Sequence, residues 1–282
     1  MHRKQILSIV FVLISLPSLI AAQDEHKHAL IDRAVRFERA GDYTAAADSY
    51  LQYLKRFPES AAVYNNLGAN FFELRRHGEA VAALQKSIAL DPGNERAYFN
   101  LGTVYWHLKR YAESVEALEK AVALAPRHYP ARAKLCDVYL AAERVGDAAV
   151  CYEKLLALTP GDAQSHSNYG VALLGARRFD EAASVFAENL ARFPPRAETF
   201  NNLGVALLEL RRFREAAESL ARALEIEPGN EAMRYNLAIA ELAAKNKTAA
   251  LRQYSFLKKT NPALAGRLFE NIFRGKIVPA RN

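Results

Sequence analysis

Cysteine is nearly missing from this 282-residue chain, which has only Cys136 and Cys151. Two cysteines at that spacing cannot write a paired-cysteine zinc signature. The HExxH of a zinc protease, the GxSxG of a serine hydrolase and the glycine-rich phosphate loop of a nucleotide-binding enzyme are absent too. The seven histidines are scattered. His26 and His28 stand near each other beside a polar N-terminal stretch, where water is the ordinary partner. Charge of one sign is also modest. The formal net charge of +7 permits an anionic partner without requiring one. No metal, no cofactor and no catalysis are expected from these absences, and nucleic acid is not an expected partner.

What is present is a repeat. Leu67, Leu101, Leu135, Tyr169, Leu203 and Leu237 recur with a period of 34, as do Gly68, Gly102, Cys136, Gly170, Gly204 and Ala238. Pro58, Pro92, Pro126, Pro160, Pro194, Pro228 and Pro262 keep the same step. Seven units of that length run without a gap over 27–264. A fixed period of this kind means an array of one supersecondary unit. In 61–94, Tyr64, Leu67, Gly68 and Phe71 mark one face of a helix. "LRRHGE" breaks the pattern, Ala80, Leu84 and Ile88 restore it, and "DPGN" ends it, because proline cannot continue a helix. Each unit is therefore a helical hairpin, with Gly68 and Ala80 small where its helices cross. One hairpin cannot bury both faces, so neighbours must stack.

The pattern resembles the tetratricopeptide repeat through Tyr98, Leu101, Gly102, Tyr105, Leu118, Ala121 and Pro126 in the third unit. Phe200, Leu203, Gly204, Ala216, Leu220, Ala223 and Pro228 carry it in the sixth. The resemblance implies an all-α, right-handed solenoid of seven helical hairpins. The end units depart from the pattern, with Arg33 and Ala34 in the first and Arg234 and Glu241 in the seventh. Terminal repeats differ because one face lacks a neighbour. Leu264, Leu268 and Ile272, with Phe269 and Phe273 beside them, predict a capping helix over 265–275, followed by a tail at 276–282.

The sixth place of each unit reads Asp32, Asn66, Asn100, Lys134, Asn168, Asn202 and Asn236. It lies beside the Leu-Gly pair and should face the inner side of the array. An amide offers donors and an acceptor together, so a row of asparagines can hold a peptide backbone without reading its side chains. Inter-repeat helix packing is the competing role. Phe72, Phe99, Trp106 and Tyr235 should lie on or near the same face, as binding anchors if exposed and as packing if not. The fifth places carry no basic residue, so a carboxylate-capturing clamp is not expected, although Arg96 alone stands at a suitable place.

A second row, Arg76, Arg110, Arg144, Arg178 and Arg212, falls at the turn inside each hairpin. Such a ridge suits an anionic surface. However, each arginine has an acid three residues on, namely Glu79, Glu113, Asp147, Glu181 and Glu215, which favours local pairing. Cys136 replaces the crossing glycine of the fourth unit, and Cys151 lies on the second helix of the same hairpin. Two buried thiols and a disulfide both fit; Ala148 is the expected nearest neighbour of the crossing place, with Cys151 about a turn away.

Residues 1–22 are a different object. "MHRKQ" is basic, "ILSIVFVLISLPSLIAA" is apolar with Pro17 late in the run, and Ala21-Ala22 precede the polar "QDEH". This is the layout of a signal peptide, followed by a short linker at 23–26. Cleavage near Ala22 would leave 36 basic and 31 acidic residues, a net +5. The expected protein is thus a non-catalytic scaffold, exported to the periplasm or outside the cell, that binds a protein or peptide. The alternatives are an assembly factor anchored in the inner membrane by an uncleaved N-terminus, and a recruiting subunit of an envelope enzyme.

Overall fold

The structure, a computed structural model, describes residues 27–274. The expected leader at 1–22, the linker at 23–26 and the tail at 276–282 lie outside the described residues. The described residues form fifteen helices and no strand. They are α1 (27–39), α2 (Tyr43–Leu54), α3 (Ala61–Glu73), α4 (His77–Leu90), α5 (Glu95–His107), α6 (Tyr111–Leu124), α7 (Tyr129–Ala141), α8 (Val145–Leu158), α9 (Ala163–Gly175), α10 (Phe179–Arg192), α11 (Ala197–Glu209), α12 (Phe213–Ile226), α13 (Glu231–Ala243), α14 (Lys247–Thr260) and α15 (Pro262–Arg274). Seven hairpins and a C-terminal helix are therefore present. Two compact units divide the chain at 135/136, inside α7.

Local chemistry accounts for the boundaries. In "DPGN", α4 stops before Pro92, and Asn94 caps α5 by accepting from the Ala97 amide at 3.2 Å. Asn230 caps α13 in the same way. At the inner turn every hairpin closes a Schellman motif. In the second, the Arg76 amide donates to the Phe71 carbonyl and the Arg75 amide to the Phe72 carbonyl. That motif needs one left-handed residue. Gly41 supplies it in the first unit, at φ 75°, whereas Arg75, Lys109, Glu143, Arg177, Arg211 and Lys245 adopt φ of 57–64° without being glycine.

The crossing glycines are required by contact. A Cβ on Gly68, Gly102, Gly170 or Gly204 would lie 2.5–2.6 Å from Leu84, Leu118, Phe186 or Leu220 respectively, all fully buried. In the first unit of the structure, Leu67 and Phe71 of α3 join Tyr50, Tyr53 and Leu54 of α2 in one core. In the second, Leu207 and Leu220 pack with Met233 and Leu237, and Tyr235, Ile239 and Leu257 pack with Leu268 and Ile272 of α15.

The departures at the ends have structural reasons. Arg33 donates to Ser49 Oγ (3.1 Å) and Gln52 Oε1 (2.6 Å), replacing an apolar contact with hydrogen bonds where no earlier hairpin stacks among the described residues. Arg234 donates to Gln253 Oε1 (3.0 Å) and to the Pro228 carbonyl (2.5 Å), and Gln253 reaches Glu241 (3.4 Å). The capping helix starts at Pro262 rather than 265, because Asn261 precedes it. The Asn261 side chain accepts from the Leu264 amide at 3.1 Å, which makes the proline the first helical residue, where its missing N–H costs nothing.

Candidate functional site

The sixth-place asparagines are joined to earlier repeats, and the sequence decides how. Asn66 Nδ2 donates to Tyr50 Oη (3.3 Å) and Asn168 Nδ2 to Tyr152 Oη (3.2 Å), each 16 residues back. Asn100 Nδ2 donates to Asn65 Oδ1 (2.9 Å) and Asn236 Nδ2 to Asn201 Oδ1 (3.0 Å), each 35 residues back. Where neither place offers an acceptor, as with Leu118 and Phe99, the ladder carries Lys134 instead. Its ammonium sits 5.7 Å from the Trp106 ring centroid. Asn202 looks back on Phe186 and Ser167 and donates no hydrogen bond among the described residues; its Oδ1 accepts from Asn201 at 3.2 Å. The packing role is thus filled by four of the five asparagines. The carbonyl oxygens of Asn66 and Asn168 accept from Asn65 (3.2 Å) and Gln164 (2.9 Å), whereas those of Asn100 and Asn236, and both amide hydrogens of Asn202, enter no hydrogen bond among the described residues.

Two polar clusters anchor this ladder. Tyr152 Oη donates to Asp137 Oδ1 (2.5 Å), and Asn168 Nδ2 reaches the same oxygen (3.2 Å). Burial, then the Asp137 carboxylate, pushes the Tyr152 phenol well above its ordinary range, so it remains a donor. Burial, then Glu38, pushes Tyr50 up to about 12. No single repeat place reveals Tyr50, Asn65, Asp137, Tyr152 or Asn201. Pairs of places 16 or 35 residues apart bring out Tyr50, Tyr152, Asn65 and Asn201, and Asp137 joins at separations of 15 and 31.

The aromatics separate into three groups. Phe72 and Phe99 are half-buried and line one cavity of about 210 Å³ between α3 and α5. Asn100, Glu73, Ala69 and Thr103 complete its rim. The cavity exists because Ala69 and Thr103 are small, whereas the same repeat place holds Val171, Val205 and Ile239 later in the chain. His107 packs edge-on against Phe72, with ring centroids 4.8 Å apart. Burial, then Lys134, lowers its imidazole pKa. Trp106 is half-buried beside Tyr111 and Lys134. Tyr235, expected beside the others, offers no surface. It is fully buried under α15, with Arg267 over its ring at 5.3 Å and its oxygen accepting from Asn271 at 2.9 Å. The final helix covers a face that an inner repeat would present to its successor.

The ridge arginines are paired. Arg76, Arg110, Arg144, Arg178 and Arg212 meet Glu79, Glu113, Asp147, Glu181 and Glu215 at 2.5–2.7 Å. Three of them also lie 4.6 Å from the ring centroids of Phe71, Tyr105 and Tyr139, where a Schellman motif usually has an apolar contact. Glu113 and Glu215 rim two open clefts of about 590 and 600 Å³, on α5/α6 and α11/α12, that contain no ladder residue.

Cys136 and Cys151 are disulfide-bonded, with Cα atoms 5.3 Å apart. The expected displacement of a turn does not hold. The crossing place in other hairpins points at the side chain sixteen positions further on, as Gly68 does at Leu84. In this hairpin that position is Tyr152, so Cys151 stands next to it. Among the described residues no group of three histidine, cysteine or acidic side chains is disposed to hold a metal. No described helix is long and apolar enough to cross a membrane.

Known proteins fit this architecture. A family model described as tetratricopeptide repeat matches residues 31–95, 70–129 and 201–259, and a second so described matches 108–167. These stretches cover more than half of the chain, which belongs to the tetratricopeptide repeat family. Small glutamine-rich tetratricopeptide repeat-containing protein 2 of Mycosarcoma maydis is 38% identical over 64 residues, 23% of this chain and 18% of that protein. The match thus spans less than a fifth of that relative. YrrB, described as a repeat protein with an unusual peptide-binding site, is 25% identical with a TM-score of 0.62, covering 71% of this chain and 99% of that one. MamA is 26% identical with a TM-score of 0.56, covering 60% and 92%.

Proposed function

We propose that the chain is a non-catalytic scaffold that binds a partner protein through an extended segment laid on its first helices. The observation that carries this is the cavity between α3 and α5. An apolar floor of Phe72, Phe99 and Leu84 meets the Asn100 amide at its rim, which suits one apolar side chain and the peptide group beside it. The peptide-binding description of YrrB supports the same use of the fold. In 136–274 the unspent amide of Asn202 is the corresponding backbone contact. Export to the cell envelope is part of the proposal. The basic, apolar and small-residue order of 1–22 supports it, and so does the Cys136–Cys151 bond, since such bonds persist in oxidising compartments. N-terminal sequencing of protein recovered from the envelope separates a mature chain beginning near Gln23 from one anchored by an intact Met1.

The binding test fills the cavity with residues the repeat already tolerates. Ala69→Ile with Thr103→Val should keep the melting temperature. Peptides selected on the native chain from a displayed random library should share a large apolar residue, and the double variant should not bind them. Unchanged binding by a folded double variant would reject the cavity as the anchor.

A further inference from the structure

The charge of this chain is not spread along it. Residues 231–282 hold ten Lys or Arg and three Asp or Glu, a surplus equal to the whole +7; everything before them balances at 28 of each sign. The same region exposes large apolar side chains. Phe269 is 39% and Phe273 51% exposed, and their rings lie 4.6 Å apart on α15. Phe269 also meets Tyr254 of α14 (6.2 Å), and Lys247 Nζ lies 4.9 Å from the Phe273 ring centroid. Lys247, Leu251, Tyr254 and Lys258 follow a four-three-four spacing, so they form one stripe of α14. The aromatic patch therefore lies against a stripe with a lysine near each end. Lys245, Lys247, Lys258 and Lys259 are exposed and enter none of the ion pairs among the described residues, unlike the ridge arginines.

We infer that the α14/α15 face docks on an anionic lipid surface. Exposed phenylalanines flanked by unpaired lysines are the chemistry of a helix lying at the headgroup boundary, where rings enter the acyl edge and ammonium groups meet phosphates. An acidic protein would satisfy the cations but has no need of two adjacent exposed rings. The proposal is independent of the cavity between α3 and α5.

The test uses the full chain with vesicles of phosphatidylcholine, alone or with equimolar phosphatidylglycerol. The difference between the two measures the anionic contribution; residues 1–22, whose "MHRKQ" is basic, add to it equally in the native chain and in every variant, so the variants are read against the native chain. Each surface lysine should contribute roughly five-fold to that difference, so Lys247→Gln with Lys258→Gln should lower it about 25-fold. Phe269→Ser with Phe273→Ser should lower it as well. Arg75→Gln with Lys109→Gln, remote in sequence and also cationic, should leave it unchanged, and circular dichroism should show all three variants equally helical. The inference is overturned if anionic lipid adds nothing, or if the lysine pair can be removed without loss. Loss of the same size in the control would overturn it too, as would a chain that binds polyglutamate beads and not vesicles.

Discussion

Replacing Asn236 and Asn202 separately by alanine distinguishes two asparagines that the repeat makes formally equivalent. Asn236 is 6% exposed and donates to Asn201 Oδ1, itself on a residue 7% exposed. Its removal leaves a buried acceptor without that donor, a loss of about 1–3 kcal/mol. Alanine returns up to about 0.7 kcal/mol through helix propensity. With the full return, the net change is roughly 0.3–2.3 kcal/mol of lost stability. Asn202 donates to nothing among the described residues and only accepts from the adjacent Asn201 at 3.2 Å, so Asn202→Ala should cost less than Asn236→Ala, about 0–1 kcal/mol. Urea titration of the full chain, followed by circular dichroism, reads both as shifts in midpoint at constant slope. Equal destabilisation, or a larger loss for Asn202→Ala, would show that the acceptor in the preceding helices does not govern the ladder. For peptide binding the order should reverse. Asn202→Ala should weaken binding to residues 136–274, and Asn236→Ala should not, provided the fold is intact.

Gly204→Ala should cost about 1–3 kcal/mol through overpacking, since its Cβ would stand 2.5 Å from Leu220 Cγ; Gly266→Ala in α15, with nothing within 4 Å, should be neutral or stabilising, and thermal melts compare them. Reducing the Cys136–Cys151 bond, or replacing both by serine, should lower stability by ~3 kcal/mol for a separation of 15 residues; an unchanged denaturation midpoint would remove the bond from the stability of the α7/α8 hairpin. Glu241 has its carboxyl pKa raised by burial and leaves Oε2 without a hydrogen-bond partner. A raised folded-state pKa means the folded chain holds the proton more tightly, so the penalty is present at neutral pH and fades as pH falls through that value. Glu241→Gln should therefore melt higher than the native chain at pH 7 and approach it in acid; a constant gap across pH would refute the titration.

The order of elements was legible because helix formation is local. Spacings of three and four and a proline once per repeat specify each hairpin without reference to its neighbours. The crossing glycines and the acids beside the ridge arginines were legible for the same reason, since each involves one hairpin and a fixed offset. Contacts between hairpins were not. Whether a sixth-place asparagine spends its amide on a tyrosine, on another asparagine or on nothing depends on how one hairpin stacks on the last. Tyr235 occupies the same repeat place as Phe99, yet α15 buries it, because a terminal face is closed by whatever follows rather than by its own composition. Cys151 came within bonding distance of Cys136 because the crossing place points at Tyr152 and its neighbour, a direction set by packing two helices together. Side-chain periodicity therefore determines which face of each helix is apolar, while the stacking of one hairpin on another decides which polar atoms on that face remain available to a partner.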